Sequence, residues 1–113
     1  MRRITEIIDR LGVAPNSPAA NLITASYIFS AKCHAGQLRK SGEPYLMHPL
    51  EVAYILSDLG MDAATVSTGL LHDTVEDTSI TLNDIERIFG EKVKSIIDGL
   101  TKISGEFDFK SSS

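Results

Sequence analysis

Cysteine is nearly absent from this 113-residue chain, since Cys33 is its only copy, and no long hydrophobic run occurs. One cysteine excludes an intrachain disulfide and fits a reducing compartment. Because Cys33 falls within a helical pattern, we interpret it as a buried, inert thiol rather than a nucleophile. No apolar stretch reaches the length that a membrane span needs, so we expect no contact with a membrane.

A strong charge of one sign is also lacking, because 11 basic and 15 acidic side chains give a formal net charge of −4. This balance argues against direct nucleic-acid binding, although it leaves room for a local basic pocket that binds a phosphorylated small molecule. The N-terminal segment Met1-Arg2-Arg3-Ile4-Thr5-Glu6 is basic but leads into an amphipathic stretch, which is not a signal-peptide pattern. We therefore expect one cytoplasmic domain that covers residues 1–113.

Internal repeats, low-complexity segments and convincing strand patterns are missing, and six helical patterns account for the hydrophobic residues. They predict an all-α fold. The second pattern, from Ala19 to about His34, carries apolar residues on more than one face, and we predict that it is a central, heavily buried helix. The fourth runs from Ala63 to His72 behind an Asp62 cap. Gly12 is predicted to end the first pattern, and Thr81, with Asp84 three residues later, to cap the fifth. Residues 104–113 show no helical pattern and are predicted to form a loop or tail.

The chemistry concentrates in residues 69–78, where an apolar run turns abruptly acidic. The side chains of His72 and Asp73 diverge by about 100° on a helix, yet both can reach one ion beside the axis. Glu76 and Asp77 follow four residues later, so a helix continued by one turn carries all four groups at one end. An imidazole beside a carboxylate is a common start to a transition-metal site, and further carboxylates can position or deprotonate water. The alternative is a helix end followed by a solvated acidic loop.

Two upstream features favour the metal site. His48 precedes Pro49, which we expect to place it at a helix N-cap or just outside, as either a polar cap residue or a ligand. Arg39 and Lys40 lie in a segment with two glycines, which is predicted to be a loop. On its own this segment indicates an exposed basic loop, but beside a metal ion its two cations would suit a polyphosphate. Two imidazoles and one carboxylate suit Mn²⁺ and leave room for water and a phosphate.

Several segments across roughly residues 20–103 occur together in one order: His34-Ala35-Gly36-Gln37, Arg39-Lys40-Ser41-Gly42-Glu43-Pro44-Tyr45, His48-Pro49, His72-Asp73-Thr74-Val75-Glu76-Asp77-Thr78, Phe89-Gly90 and Gly99-Leu100-Thr101-Lys102. In this order and spacing the chain resembles the N-terminal hydrolase domain of the RelA/SpoT family, the bifunctional enzymes of the alarmone (p)ppGpp. The resemblance implies an HD-domain helical bundle and a bound Mn²⁺. It also implies hydrolysis of the 3′-pyrophosphate of (p)ppGpp to GDP or GTP and pyrophosphate.

The resemblance also implies roles for individual residues. The residues that match family positions are the metal ligands His48, His72 and Asp73, the paired acids Glu76 and Asp77, and the nucleotide-contacting Arg39, Lys40 and Ser41. His34 matches a position that is not a ligand, so we interpret it as structural. The family completes its metal site with an aspartate on a later helix, to which Asp108 is not matched. We therefore expect a domain that is incomplete at its C-terminus.

Two other functions remain open at this point. The chain is alternatively a non-catalytic regulatory HD domain of a (p)ppGpp synthetase, or another HD-type nucleotide phosphohydrolase. The intact histidines and acids weigh against the first, and the basic loop weighs against the second. If later helices normally cover its apolar surfaces, we expect these residues alone to self-associate or to form a marginally stable monomer.

Overall fold

The computed structural model describes residues 3–35, 42 and 46–112, and for residues 101 and 103–112 it describes the backbone alone. Within these ranges all regular structure is helical, which confirms the predicted all-α class. The helices are α1 (Ile4–Leu11), α2 (Pro18–Cys33), α3 (Met47–Asp58), α4 (Ala63–Asp77), α5 (Leu82–Phe89) and α6 (Glu91–Ser112). None of them, over the ranges described, is both long and apolar enough to cross a bilayer.

Local capping groups set several helix boundaries where the sequence predicts them. At the start of α4, the Asp62 carboxylate accepts a hydrogen bond from the backbone N–H of Thr65 at 2.9 Å. At α5, Thr81 and Asp84 form a reciprocal capping box, in which each side chain accepts the other residue's backbone N–H. α1 ends at Gly12, whose φ of 69° is the left-handed conformation that terminates helices. These boundaries follow from groups only a few residues apart.

Helix α4 is the element around which the others are arranged, and it packs against α2, α3 and α6. It contributes to both apolar cores of the domain. Val66 and Leu70 belong to the first, which also contains Ile7, Ile23, Leu50 and Ala53. Leu71 belongs to the second, with Ile85, Val93 and Ile97. Since α4 lies between two cores, its position is fixed from several sides.

α2 packs extensively against α4, but it is less heavily buried than the sequence predicts. Its buried residues, Ala20, Ile23, Ser26 and Ser30, form one face, while Ile28 is 46% exposed. α4 occupies the centre because its middle turn consists of small residues, Ser67-Thr68-Gly69, all buried. A Cβ added at Gly69 would lie 3.3 Å from the backbone nitrogen of Ala53 on α3. Close approach of neighbouring helices, more than hydrophobicity, therefore distinguishes the central helix.

The C-terminal residues are helical where the sequence predicts a loop or tail. α6 continues through residues 104–112 to Ser112, and Ser113 lies outside the described residues. No proline interrupts this stretch, and extending an existing helix costs far less than starting one. An ion pair of 3.4 Å between Lys102 and Asp98, one turn apart, supports the turn that precedes it.

Some large apolar side chains remain in contact with solvent. Ile28 on α2 and Ile88 on α5 are 46% and 48% exposed. They line an apolar groove of about 270 Å³ together with Ala25, Phe29, Lys32 and Phe89. The predicted self-association stays a prediction, and this groove is the surface at which we would first look for it.

Candidate metal centre at the end of helix α4

The structure brings the side chains of His72 and Asp73 together at the end of α4. The Nε2 atom of His72 lies 2.9 Å from Oδ1 of Asp73, and the two side chains are only 24% and 14% exposed. Neighbouring residues on a helix point about 100° apart, so this contact requires both side chains to turn towards a common point. The point at which they converge is a half-buried position beside the helix axis.

The electrostatics of this pair favour an anionic carboxylate beside an imidazole. The hydrogen bond to Asp73 raises the pKa of His72, against the effect of burial, and the charges of Asp73 and Glu76 add to the rise. Burial works to raise the pKa of Asp73, but the His72 hydrogen bond and charge, with the charges of His48 and His34, hold it below its ordinary value. A carboxylate kept ionised in a partly buried site is a suitable ligand for a cation.

His48 lies within α3, where the sequence predicts a position at or outside the cap. The helix begins one residue earlier, at Met47, because Leu46 already has helical dihedral angles and its carbonyl accepts the N–H of Leu50. Pro49 is tolerated here since the first-turn N–H groups have no partner inside the helix. The half-buried His48 imidazole is close enough to lower the pKa of Asp73.

The donor atoms of this pair suit a divalent metal ion. One imidazole nitrogen and one carboxylate oxygen lie 2.9 Å apart and partly shielded from solvent, and transition-metal ions accept such mixed nitrogen and oxygen donors. Among the residues that the structure describes, no three His, Cys, Asp or Glu side chains are grouped so that they could hold an ion. His72 and Asp73 therefore fit a metal as a pair, and His48 as the third ligand stays a prediction.

Glu76 and Asp77 belong to the same helix as the pair. α4 continues past His72 to Asp77, so the four titratable groups share its last turn and a half, as a continued helix requires. Both acids are exposed, and Glu76 is near enough to His72 to raise the pKa of that imidazole. The alternative of a loop beginning after the histidine is excluded, while the role of the two acids stays a prediction.

The predicted nucleotide-contacting residues Arg39, Lys40 and Ser41 lie outside the described residues. The residue at which α2 ends, His34, is described, and it lies against α4 through a contact of 3.3 Å between its Nε2 and Thr74 Oγ1. The residue from which the chain continues towards Arg39, Lys40 and Ser41 therefore lies beside the turn that carries the acids.

Thr74 is not among the site residues that the sequence predicts, yet it is fully buried and lies in the sequence between the proposed ligand pair and the acids. His34 is predicted to be structural, but the prediction names no partner for it. One signal was available: Ser26, Ser30 and His34 recur every four residues and are all buried on the inner face of α2. A buried polar stripe of this kind calls for partners on the facing helix, but the sequence cannot identify them.

The family model described as HD domain matches residues 26–113, and the chain belongs to this family. The chain is 55% identical over 87 residues to a GTP pyrophosphokinase of Myxococcus xanthus, an alignment that covers 77% of this chain and 12% of that protein. It is 50% identical over 90 residues to a probable guanosine-3′,5′-bis(diphosphate) 3′-pyrophosphohydrolase of Synechocystis sp., which covers 80% of this chain and 12% of the relative.

A third relative, the GTP pyrophosphokinase rsh of Brucella ovis, is 42% identical over 105 residues, or 91% of this chain and 14% of its own length. Within the HD-domain family the resemblance to RelA/SpoT proteins is thus confirmed. The chain spans only about an eighth of the length of these relatives. Their names include both a hydrolase and pyrophosphokinases.

Proposed function

We propose that this domain hydrolyses the 3′-pyrophosphate of (p)ppGpp, giving GDP or GTP and pyrophosphate, with Mn²⁺ as cofactor. The observation that carries the proposal is the His72–Asp73 pair, 2.9 Å apart and half-buried, one turn before Glu76 and Asp77 on the same helix. The activity in the name of the Synechocystis relative supports the choice of substrate.

His72, Asp73 and His48 would hold the metal. When bound, Mn²⁺ would polarise a phosphoryl oxygen and lower the pKa of a nearby water. The lowered pKa of Asp73 suits this role because the carboxylate is ionised at neutral pH. The imidazole of His72 must bind in its neutral form, so the metal competes with the proton that Asp73 otherwise stabilises.

Glu76 and Asp77 would act on the attacking water, because they follow the ligand pair by one turn and are not needed for coordination. One of them takes a proton from the water as its oxygen attacks the phosphorus bonded to the ribose 3′ oxygen. The bond between that phosphorus and the 3′ oxygen breaks, the 3′ oxygen receives a proton, and pyrophosphate leaves. Arg39, Lys40 and Ser41 would bind the diphosphate and offset its charge.

The second candidate is a regulatory HD domain without hydrolase activity in a (p)ppGpp synthetase. Two of the relatives described above carry the name GTP pyrophosphokinase, which favours it. In such a domain the acids of the last turn have no water to activate, so their substitution leaves nucleotide turnover unchanged.

The test is a nucleotide hydrolysis assay on the full-length protein with Mn²⁺, in which pyrophosphate and GDP are separated by anion exchange. We expect Glu76→Gln and Asp77→Asn each to lose most hydrolysis of ppGpp while Mn²⁺ binding is retained. Glu86→Gln, an exposed glutamate on α5, is the matched control and should behave as wild type. Loss of bound metal in the two variants, measured by elemental analysis, would make the acids ligands instead.

Wild-type protein that binds Mn²⁺ but releases no pyrophosphate from ppGpp would favour the regulatory domain. Faster turnover of other nucleotides under the same conditions would favour a different HD phosphohydrolase.

A further inference from the structure

His34 is the residue at which α2 ends, and although it is polar it is only 4% exposed. Its Nε2 atom lies 3.3 Å from the Oγ1 atom of Thr74, which is 40 residues later in the chain and fully buried. Buried polar side chains are retained at a cost unless they are hydrogen-bonded. This pair therefore forms a specific polar contact in the packed interface of α2 and α4.

Thr74 is in turn part of the hydrogen bonds that close the last turn of α4. Its carbonyl accepts both the backbone N–H of Thr78, at 3.2 Å, and the Thr78 hydroxyl. The Thr78 hydroxyl oxygen then accepts the backbone N–H of Ile80, also at 3.2 Å. A residue that faces inward at position 74 thus holds the turn in which Glu76 and Asp77 face outward.

The place of Thr74 in the sequence gives this contact its importance. It follows Asp73 directly and precedes Glu76 by two residues, so any rotation of its backbone moves both a proposed ligand and a proposed acid. Elements at the ends of helices fray readily unless a tertiary contact holds them.

We propose that His34 is a positioning residue, which fixes the last turn of α4 through Thr74 and so holds the metal ligands and the acids at their working spacing. The inference rests on the proposed function and extends it to a residue that coordinates nothing. Residues that orient metal ligands without touching the metal change affinity by about 10- to 100-fold when removed. A histidine that merely fills space would not have that effect.

The test uses two readouts on the same variants: Mn²⁺ affinity by electron paramagnetic resonance titration, and amide hydrogen exchange of the metal-free protein. We expect His34→Ala and Thr74→Val each to weaken Mn²⁺ binding by about tenfold or more. Exchange should accelerate at residues 77–80 in both. The double variant should lose no more affinity than either single one, because both remove the same contact.

Conservative changes separate positioning from general destabilisation. Thr74→Ser keeps the hydroxyl and should bind Mn²⁺ almost as wild type, and His34→Gln, whose amide can reach Thr74, should recover part of the loss. The control is Thr68→Val, a change at another buried threonine of α4, whose hydroxyl donates to the carbonyl of Thr65 within its own helix. Thr68→Val should leave Mn²⁺ affinity within about twofold of wild type even if it lowers the stability of the protein. The reason is that the Thr68 hydroxyl does not orient any of the proposed metal ligands.

The proposal fails if His34→Ala and Thr74→Val bind Mn²⁺ like wild type, or if their losses add fully in the double variant. If His34→Ala does not fold, the comparison of Thr74→Val with Thr74→Ser decides alone. A wild-type protein with no measurable Mn²⁺ affinity contradicts the proposed function. In that case the hydrogen-exchange measurement decides. Unchanged amide exchange at residues 77–80 in His34→Ala and Thr74→Val would overturn the positioning role by itself.

Discussion

The two halves of α4 differ in what surrounds them. From Val66 to Leu71 every residue is buried, and the helix is covered by α2, α3 and α6. From His72 to Asp77 only Thr74 is buried, and the other side chains are half-buried or exposed. The first half therefore packs into both apolar cores, whereas the second half carries the proposed metal ligands and acids. A single helix supplies the rigidity that a site needs without burying the site itself.

The two ends of α4 are also held by different means. At the start, Asp62 caps the helix at 2.9 Å and pairs with Lys92 of α6 at 3.1 Å, in a position where both side chains are more than half exposed. At the other end the His34–Thr74 contact is buried. Solvent and salt weaken the exposed ion pair, whereas the buried contact is shielded from both. Removing the His34–Thr74 contact should therefore disturb α4 more than removing the Asp62–Lys92 pair.

The largest expected change in stability comes from the buried half. Leu70 is fully buried, and Leu70→Ala should lower the free energy of unfolding by about 2–5 kcal/mol, measured by urea denaturation. The control Ile55→Ala, at a side chain that is 54% exposed, should cost much less. Mn²⁺ affinity of the folded Leu70→Ala protein should stay near wild type. If Leu70→Ala weakened Mn²⁺ binding as much as it lowered stability, the two halves of α4 would not have separate roles.

A change in the second half of α4, from His72 to Asp77, should affect metal binding more than stability. Asp73→Ala removes a proposed ligand and the partner of His72, and we expect Mn²⁺ affinity to fall at least 100-fold, or about 3 kcal/mol. Metal titration measures the loss, and thermal melting without metal should show a much smaller effect than Leu70→Ala. Undiminished Mn²⁺ binding would remove Asp73 from the ligand set.

Glycine positions sharpen the comparison further. A Cβ at Gly69 would meet Leu56 Cδ1 at 3.0 Å and the Ala53 backbone nitrogen at 3.3 Å, whereas one at Gly99 would meet nothing within 4 Å. Gly99→Ala should stabilise α6 by up to about 1 kcal/mol through helix propensity. Gly69→Ala gains the same propensity but overpacks the contact with α3, and we expect a net loss of about 1 kcal/mol. If Gly69→Ala and Gly99→Ala stabilised the protein equally in the same denaturation assay, α3 would have to shift away from α4 to make room for the added methyl group.

The smallest effect concerns the exposed end. The Thr65 backbone N–H, and to a lesser degree Lys92, lower the pKa of Asp62 to about 2 from its ordinary value of 3.8. Because the pKa of Asp62 is lower in the folded protein, its contribution to stability is complete above a pH of about 4. That contribution is lost as the pH falls through about 2. Asp62→Ala should cost about 1 kcal/mol at neutral pH.

The difference between wild type and Asp62→Ala should therefore shrink as the pH falls from about 4 towards 2. Lys92→Ala, which removes only the exposed pair, should cost less. A difference that does not depend on pH would mean that the carboxylate charge has no part in the cap.

The sequence predicts well those features that depend on near neighbours. The caps at Asp62 and Thr81 follow from side chains that reach a backbone N–H three residues away, and both are observed. The convergence of His72 and Asp73 follows from adjacency on one helix. These interactions need no knowledge of what packs against the helix.

Other features depend on distant parts of the chain and could not be predicted. The central place of α4 depends on how closely α3 approaches Gly69, which hydrophobic periodicity does not encode. The contact between His34 and Thr74 joins residues 40 positions apart. A third miss is local: α3 starts at Met47 because Leu46 already has helical dihedral angles, whereas the His48-Pro49 sequence suggests a later boundary.

The ligand set of the metal is the central claim, and pulsed electron paramagnetic resonance of Mn²⁺ bound to protein labelled with ¹⁵N-histidine tests it most directly. We predict couplings to two histidine nitrogens, one lost in His48→Ala and one in His72→Ala. His34→Gln should retain both couplings. A spectrum without histidine coupling, or one that His48→Ala and His72→Ala leave unchanged, would contradict the account.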